Sequence, residues 1–376
     1  MRIAVDFTAG VRQYGGVGRY TRSLLRALAE EVARRHGHDA LTLLWAGPPR
    51  ITPPADWPGV RTRRLPLPER WMTVLWQRLR VPLPADWLAG GADVFYSPDF
   101  TLPPLARARA AVTVHDLSYL LHPDTHFPPL RRYLERAVPR ALDRAGRIFA
   151  DSIQTQEDLH VHLGVAPERV EVVLSAADPM FQPTPRGRIN DVLRRNGIDR
   201  PYLLSVGTLQ PRKNLQVIFS ALRALVDEGR NLLHVHVGRP GWLYEPIFTA
   251  LDRSGVKDRV RMLAASDEDL VALYGGAVAL VFPSLYEGFG LPCLEAMSCG
   301  TPVIASRAGS LAEVVEDAGI TVEPNDAAAI GSGVRRLLDD PEFRADLVER
   351  GYVQTAKFRW DASARQVYDS LEALAR

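Results

Sequence analysis

The chain has 376 residues, of which 46% are hydrophobic and 24% are charged, and its formal net charge is +2. This length predicts two globular domains, and so small a net charge argues against a protein that binds nucleic acid. Cys293 and Cys299 are the only cysteines, and such a pair predicts neither a disulfide framework nor a zinc site. No apolar run approaches the roughly 20 residues of a membrane span, and no signal peptide precedes the strand-like residues 3–7. Together these features predict a cytoplasmic protein.

Short apolar strands alternate with helical patterns in two successive series, which is typical of parallel sheets built from βαβ units. The first series has predicted strands at residues 3–7, 41–45, 94–97, 111–114, 147–150 and 170–174, with helices at 17–35, 130–144 and 155–163. The second has predicted strands at 202–206, 232–237, 260–263, 278–282, 303–305 and 320–322, and a helix at 360–374 ends the chain. The Pro-rich stretches 48–68 and 179–200 predict a surface loop and the interdomain linker, respectively.

Glycines precede the first long helix, in the string Y-G-G-V-G-R-Y at residues 14–20. Gly15 and Gly16 would let the backbone approach a phosphate or a sugar closely. The string is a poor dinucleotide fingerprint, because it lies well beyond the strand end and Thr21 replaces the third glycine. An ordinary glycine turn is the alternative.

Residues 70–83 form a short basic segment that contains Trp71 and Trp76. Such a segment is suited to lie on an anionic membrane that carries a lipid-linked acceptor. The alternative is a helix that packs on its own domain or lines a cleft.

His115 and Asp116 directly follow a predicted strand. Residues at the carboxyl end of a parallel strand point toward the crevice where ligands bind. They are therefore the candidate catalytic residues of the first domain, although a histidine in this place can also be purely structural.

The string S-V-G-T-L-Q-P-R-K-N at residues 205–214 lies between a predicted strand and a helix. Arg212 and Lys213 would then stand at the helix start, where they can neutralise a leaving diphosphate. The alternative is a basic loop capped by Asn214.

The acidic triplet Asp267–Asp269 resembles a metal-binding motif. However, Ser266 before it makes a good helix N-cap, with the acids in the first turn. We therefore expect no metal site.

The most informative string is F-P-S-L-Y-E-G-F-G-L-P-C-L-E, at residues 282–295. A strand, a glycine turn and a helix that begins near Leu291 are predicted, with Pro292 at the helix start. Such an N-terminus suits a diphosphate. Glu287 in the turn could face a sugar while Glu295 in the helix accepts hydrogen bonds from ribose. A glycine turn with two solvated glutamates is the alternative.

Two of these strings, G-T-L-Q-P-R-K-N and E-G-F-G-L-P-C-L-E-A-M-S-C-G-T-P-V-I-A, closely resemble the family-four retaining glycosyltransferases with the GT-B fold. The resemblance also covers the N-terminal glycine string, H-D-L, A-D-S-I-Q-T and R-W-D-A-S-A. It implies an α/β protein in which two Rossmann-like domains face each other across a cleft. The acceptor-side domain would span 1–178 and the nucleotide-sugar-binding domain 201–357, with the helix 358–376 packed back onto the first.

The resemblance also implies roles for individual residues. Catalysis would involve His115, Asp116, Glu287, Arg212 and Lys213. The donor-binding set would comprise Gly15, Gly16, Gly207, Thr208, Arg212, Lys213, Met262, Leu263, Glu287, Gly288, Phe289, Gly290, Leu291 and Glu295. Thr208 stands where many relatives have arginine, so we expect Arg212 to carry more of the phosphate charge.

The expected partners are a nucleoside-diphosphate sugar, with GDP-mannose favoured, and a saccharide or lipid-linked acceptor. No metal or other cofactor is expected, and the oligomeric state stays open. A sugar-nucleotide epimerase of similar fold and a non-catalytic sugar-nucleotide-binding protein are the rival functions. An NAD-dependent dehydrogenase is disfavoured by the poor glycine fingerprint.

Overall fold

A computed structural model describes residues 1–35, 39–54, 56–79 and 81–376. The chain divides into two compact units. Unit 1 comprises Met1–Leu117, Pro129–Ser175 and Arg359–Arg376, and unit 2 comprises Ser118–Pro128 and Ala176–Phe358.

Unit 1 contains a parallel sheet of seven strands in the order β3-β2-β1-β4-β5-β6-β7. The strands are β1 Arg2–Asp6, β2 Ala40–Trp45, β3 Val60–Arg64, β4 Val94–Ser97, β5 Arg109–Val114, β6 Arg147–Ala150 and β7 Val170–Val172. The helices in this part of the chain are α1 Thr8–Arg12, α2 Gly16–Arg35, α3 Glu69–Thr73, α4 Ala85–Leu88, α5 Ser118–Leu121, α6 Pro128–Arg144 and α7 Ile153–Leu163. All of them belong to unit 1 except α5, which belongs to unit 2.

Unit 2 contains a parallel sheet of six strands in the order β10-β9-β8-β11-β12-β13. The strands are β8 Tyr202–Val206, β9 Leu233–Val237, β10 Val260–Leu263, β11 Ala279–Phe282, β12 Val303–Ser306 and β13 Ile320–Val322. The helices are α8 Arg186–Arg195, α9 Leu215–Asp227, α10 Glu245–Arg253, α11 Asp267–Gly276, α12 Leu291–Ser298, α13 Leu311–Val315, α14 Ala327–Asp339 and α15 Pro341–Thr355. The predicted α/β class and all twelve predicted strands are confirmed, with ends that differ by one or two residues.

The C-terminal helix α16, Trp360–Ala375, belongs to unit 1 and packs mainly along α2. The hydroxyl of Ser363 donates to the carbonyl of Leu174 at 2.6 Å, and the side-chain amide of Gln366 donates to the carbonyl of Val172 at 2.9 Å. The buried indole of Trp360 meets the ring of Tyr20 edge-on, with centroids 5.8 Å apart.

The predicted linker 179–200 is wrong as a linker, because unit 2 already begins at Ala176 and the segment contains α8. Ile189 and Val192 lie three residues apart, on one helix face, and both are buried in the contact of α8 with α11. The prolines that suggested a linker precede this helix, with Pro185 at its N-cap.

The predicted loop 48–68 contains one element that the sequence did not indicate, the edge strand β3. Its sequence V-R-T-R-R is almost wholly exposed and lacks the alternation of apolar and polar residues that marks a half-buried strand. It pairs with β2 alone, from Leu41 opposite Val60 to Trp45 opposite Arg64.

The basic segment 70–83 is helical at first and contains one π-helical turn, Val74–Arg78. The indole of Trp76 donates to the carbonyl of Leu83 at 3.0 Å, whereas Trp71 is 50% and Leu79 is 64% exposed. Arg80 lies outside the described residues. Within the described part of the chain, no helix is long and apolar enough to cross a bilayer.

Candidate active site

The sheet order of unit 2 brings two of the sequence motifs together. β8 lies between β9 and β11, so the connections that leave β8 and β11 diverge at this point. In open parallel sheets, ligands bind at the carboxyl ends of the strands at such a switch point. The loop that follows β8 carries Arg212 and Lys213, and the loop that follows β11 carries Glu287. The backbone N–H of Leu285 donates to the carbonyl of Arg212 at 2.8 Å and joins the two loops.

Glu287 forms ion pairs with both basic residues. Lys213 Nζ lies 2.5 Å from Glu287 Oε1, and Arg212 Nη1 lies 2.8 Å from Glu287 Oε2. The three side chains are between 9% and 12% exposed. The guanidinium of Arg212 also donates to the carbonyl of Tyr286. Two cations and one carboxylate leave a net charge of +1, which suits an anionic ligand.

The carboxylate of Glu287 stays ionised at neutral pH. Burial alone would raise its pKa, but Arg212 and Lys213 outweigh burial and lower the pKa to about 2. The pairing therefore makes Glu287 a fixed negative charge rather than a proton acceptor at neutral pH.

The loop that holds Glu287 is shaped by glycine. Gly290 has a φ of 114°, a backbone conformation that favours glycine, and a Cβ atom on it would lie 2.6 Å from Leu311 Cδ2. The hydroxyl of Ser310 donates to the carbonyls of Glu287 and Phe289, at 3.1 and 2.9 Å. The loop Gly288–Gly290 is thereby held at the start of α12, which begins at Leu291 as predicted.

Glu295 is the fifth residue of α12 and has no exposed surface. Its Oε2 accepts a hydrogen bond from the hydroxyl of Tyr274 at 2.8 Å. Because Glu287 is also only 7% exposed, the alternative of two solvated glutamates is wrong. The ribose contact of Glu295 stays a prediction.

The other predicted donor-binding residues of unit 2 lie at the carboxyl ends of β8 and β10. Gly207 and Thr208 follow this strand, and Met262 and Leu263 end β10, on the far side of β9. Sequence reasoning missed Gly238, whose added Cβ would lie 1.8 Å from the carbonyl oxygen of Gly207. The string G-R-P-G-W directly after β9 was the available signal, since glycines at a strand end often mark a close backbone approach.

The remaining candidates lie in unit 1. Gly15 and Gly16 are exposed, and Gly16 begins α2 with no heavy atom within 4 Å of an added Cβ. The sterically required glycine is instead Gly18, whose Cβ would lie 2.1 Å from the carbonyl oxygen of Gln13. Asp116 is half-buried.

His115 is buried, and both of its ring nitrogens have partners. Nδ1 lies 2.7 Å from Asp151 Oδ2, and Nε2 lies 2.8 Å from the carbonyl oxygen of Pro98. Burial lowers the pKa of His115, but the carboxylate of Asp151 outweighs it and raises the pKa to about 9. Through these two contacts the ring links Pro98, His115 and Asp151, which follow β4, β5 and β6, and so orders the ends of the three strands. A catalytic contact for His115 stays a prediction.

Ser266 is an N-cap as predicted, since its side chain accepts from the backbone N–H of Asp269. Among the described residues, no group of three or more His, Cys, Asp or Glu side chains is arranged to hold a metal ion.

Solved structures of other proteins share this fold. Sucrose-phosphate synthase from Thermosynechococcus elongatus superposes with a TM-score of 0.77 over 100% of this chain and 99% of its own, at 21% identity. HepE of Anabaena, solved with UDP and glucose, superposes with a TM-score of 0.75 over 99% of both chains, at 20% identity. The protein has the fold of the GT-B glycosyltransferases.

The family follows from the sequence comparisons. Residues 15–175 match the profile described as "Glycosyl transferase 4-like domain", and residues 191–354 match "Glycosyl transferases group 1". The chain belongs to the family-four glycosyltransferases, as its motifs predicted. It is 31% identical to O-antigen chain mannosyltransferase B of Escherichia coli over 371 residues, which cover 96% of each chain. It is also 30% identical to D-inositol 3-phosphate glycosyltransferase of Corynebacterium glutamicum, over 75% of this chain and 69% of that one.

Proposed function

We propose that this glycosyltransferase moves a mannosyl group from GDP-mannose to a saccharide or lipid-linked acceptor, with retention of configuration and without a metal ion. The convergence of Arg212 and Lys213 on one buried carboxylate at the switch point of unit 2 carries the proposal. Similarity to a mannosyltransferase over nearly the full length of both chains supports the choice of sugar.

Arg212 and Lys213 have the charge that a departing diphosphate requires. The bond between C1 of the sugar and the phosphate oxygen breaks, and the diphosphate leaves with the electron pair. Preorganised cations stabilise this charge as it develops, which is often the largest contribution to such catalysis. In this role they would replace a divalent cation, because both are held in place by Glu287 before the substrate arrives.

Retention requires the acceptor oxygen to attack C1 on the face from which the diphosphate departs. The acceptor hydroxyl forms its bond to C1 while a phosphate oxygen takes its proton. No protein base is needed in this scheme, which agrees with a Glu287 carboxylate whose pKa is lowered to about 2 by its two cations.

Each donor-side residue then has a proposed position. Glu287 lies nearest the transferred sugar, and the backbone of residues 288–291 approaches the sugar and the phosphates. Glu295 is proposed to bind the ribose, and the backbone around Met262 and Leu263 the base. For unit 1, the roles of Gly15, Gly16 and His115 stay predictions.

Two variants separate the proposed ends of the donor. Glu287→Gln keeps the shape of the side chain and removes a charge near the reacting carbon. The loss of activity should therefore appear mainly in kcat. Glu295→Ala removes a ribose contact, so the KM for GDP-mannose and the Kd for GDP should rise. The loss of a hydrogen bond to a charged group should raise these constants by about ten- to a hundredfold.

Calorimetry with GDP on both variants is the measurement. If Glu287→Gln loses affinity for GDP and Glu295→Ala retains it, the two roles are reversed. If the wild type converts GDP-mannose to an epimeric sugar with no acceptor present, an epimerase reaction replaces transfer. If it binds the donor and never consumes it, the protein is a binding protein.

We further propose that the exposed face of the basic segment contacts an anionic membrane and brings the enzyme to a lipid-linked acceptor. Trp71 and Leu79 are exposed on this segment, and Trp87 on α4 is 66% exposed. The exposed arginines of β3 lie near α4, since Arg63 Nη1 donates to the carbonyl of Leu88 at 3.4 Å. Exposed indoles beside arginines are the composition of a surface that binds the headgroup region.

A further inference from the structure

The segment Ser118–Pro128 belongs to unit 2 although the chain on both sides of it belongs to unit 1. Trp242 holds it there. The indole of Trp242 donates to the carbonyl of Thr125 at 2.8 Å, and its ring lies against that of His126, with centroids 5.9 Å apart and planes inclined at 32°. His126 Nε2 in turn lies 3.0 Å from the hydroxyl oxygen of Ser118. The segment is therefore an ordered part of unit 2.

This anchoring sets the position of His122. The backbone N–H and the hydroxyl of Thr125 both donate to the carbonyl of His122, at 3.0 and 2.7 Å. The imidazole is half-buried and faces Tyr286, with ring centroids 5.8 Å apart and planes inclined at 40°. Since the carbonyl of Tyr286 accepts from Arg212, His122 stands beside the ion-paired cluster of Arg212, Lys213 and Glu287.

The charges around His122 favour its neutral form while no anion is bound beside Arg212. Burial lowers the pKa of His122, and the guanidinium of Arg212 lowers it further. The phenol of Tyr286 faces it from the loop after β11, where the charge of Glu287 is already paired. On its own segment, the titratable neighbours are the exposed Asp124 and the buried His126.

A diphosphate that binds beside Arg212 reverses this balance. Its negative charges favour the charged form of a nearby imidazole. The imidazolium then has two N–H donors in place of one, and it adds a charge-assisted hydrogen bond to the ligand.

We propose that His122 is a further donor-binding residue, which takes up a proton when the diphosphate of the nucleotide sugar binds beside Arg212. This inference rests on the proposed function for its ligand. Nothing in the reaction scheme above requires it, because the phosphate oxygen that accepts the acceptor's proton is a different group.

Calorimetry of GDP-mannose binding in two buffers of different ionisation enthalpy measures the proton uptake directly. The intact sugar nucleotide is the suitable probe, since the terminal phosphate of GDP titrates near neutral pH itself. The wild type should take up a fraction of one proton near pH 7, and its affinity should rise as the pH falls from 8 to 6. In His122→Gln the uptake should vanish and the affinity at pH 6 should fall by about two- to fivefold, the range of a partly exposed ion pair.

His162→Gln is the matched control, because His162 is exposed on α7 in unit 1. It should behave as the wild type does. A wild type that binds GDP-mannose without proton uptake overturns the inference, and so does a His122→Gln variant with undiminished uptake. If the wild type binds neither GDP-mannose nor UDP-glucose, the proposed function fails instead.

Discussion

Replacing Glu287 with glutamine should destabilise the protein through charge alone. The substitution preserves the size of the side chain but removes the anion shared by Arg212 and Lys213. Both cations are nearly buried, with side chains 10% and 12% exposed. Removal of one partner from a buried ion pair leaves uncompensated charge, and such variants are strongly destabilised.

The magnitude follows from the pKa of the carboxyl group. Its pKa is about 2 in the folded protein against an ordinary value of 4.5. A difference of about 2.5 units, at 1.36 kcal/mol for each, corresponds to about 3 kcal/mol of stability at pH 7. Because the folded pKa is the lower one, this contribution is fully present above about pH 5 and is lost as the pH falls toward 2.

Urea denaturation of the full chain at a series of pH values measures this difference, since urea does not screen charges. The free energy of unfolding of Glu287→Gln should be about 3 kcal/mol lower than that of the wild type from pH 8 to 5, and the deficit should be about half as large at pH 3. Glu342→Gln is the control, because Glu342 is exposed on α15. A Glu287→Gln variant as stable as this control, or a deficit that does not shrink on acidification, would refute the reasoning.

Three further predictions concern a glycine, the metal and the membrane. Gly238→Ala should abolish donor binding in calorimetry, because the new Cβ would lie 1.8 Å from the carbonyl oxygen of Gly207. Gly187→Ala is the control, because Gly187 is exposed on α8 with no atom within 4 Å of an added Cβ, and it should bind donor normally; equal affinities of the two variants would contradict this contrast. Transfer should persist in excess chelator. Activity that disappears with chelator and returns with Mg²⁺ or Mn²⁺ would show that the charges of Arg212 and Lys213 do not suffice for transfer. Sedimentation with anionic vesicles should fall in a double variant, Trp71→Ser with Leu79→Ser, because both side chains are exposed, and a wild type that never sediments with anionic lipid has no membrane contact here.

The strands and the two loops that carry Arg212, Lys213 and Glu287 could be predicted because their signals are local. Each buried strand is a short apolar run, and in a parallel sheet the residues that follow such runs gather at one edge. The proximity of Arg212 and Lys213 to Glu287 therefore followed once β8 and β11 were neighbours. Burial of Glu295 against Tyr274 did not follow, since a carboxylate in a helix start looks the same in sequence whether it is solvated or buried.

Other features were invisible because tertiary contacts create them. The edge strand β3 has no apolar pattern and exists through its pairing with β2. α8 was hidden by the prolines before it, and only the packing of Ile189 and Val192 explains its place in unit 2. His122 carried no motif at all, since its position depends on Trp242, more than a hundred residues away in the chain.

The stereochemistry of a single product tests the central claim most directly. The protein is incubated with GDP-mannose, excess chelator and methanol as a surrogate acceptor, and the anomeric proton of the product is observed by NMR. A methyl mannoside cannot mutarotate, so its configuration records the face of attack. The account predicts the α-anomer, which retains the configuration of the donor. A β-anomer would contradict attack from the face of the departing diphosphate, and a product that forms only after a divalent metal is restored would contradict the role of Arg212 and Lys213.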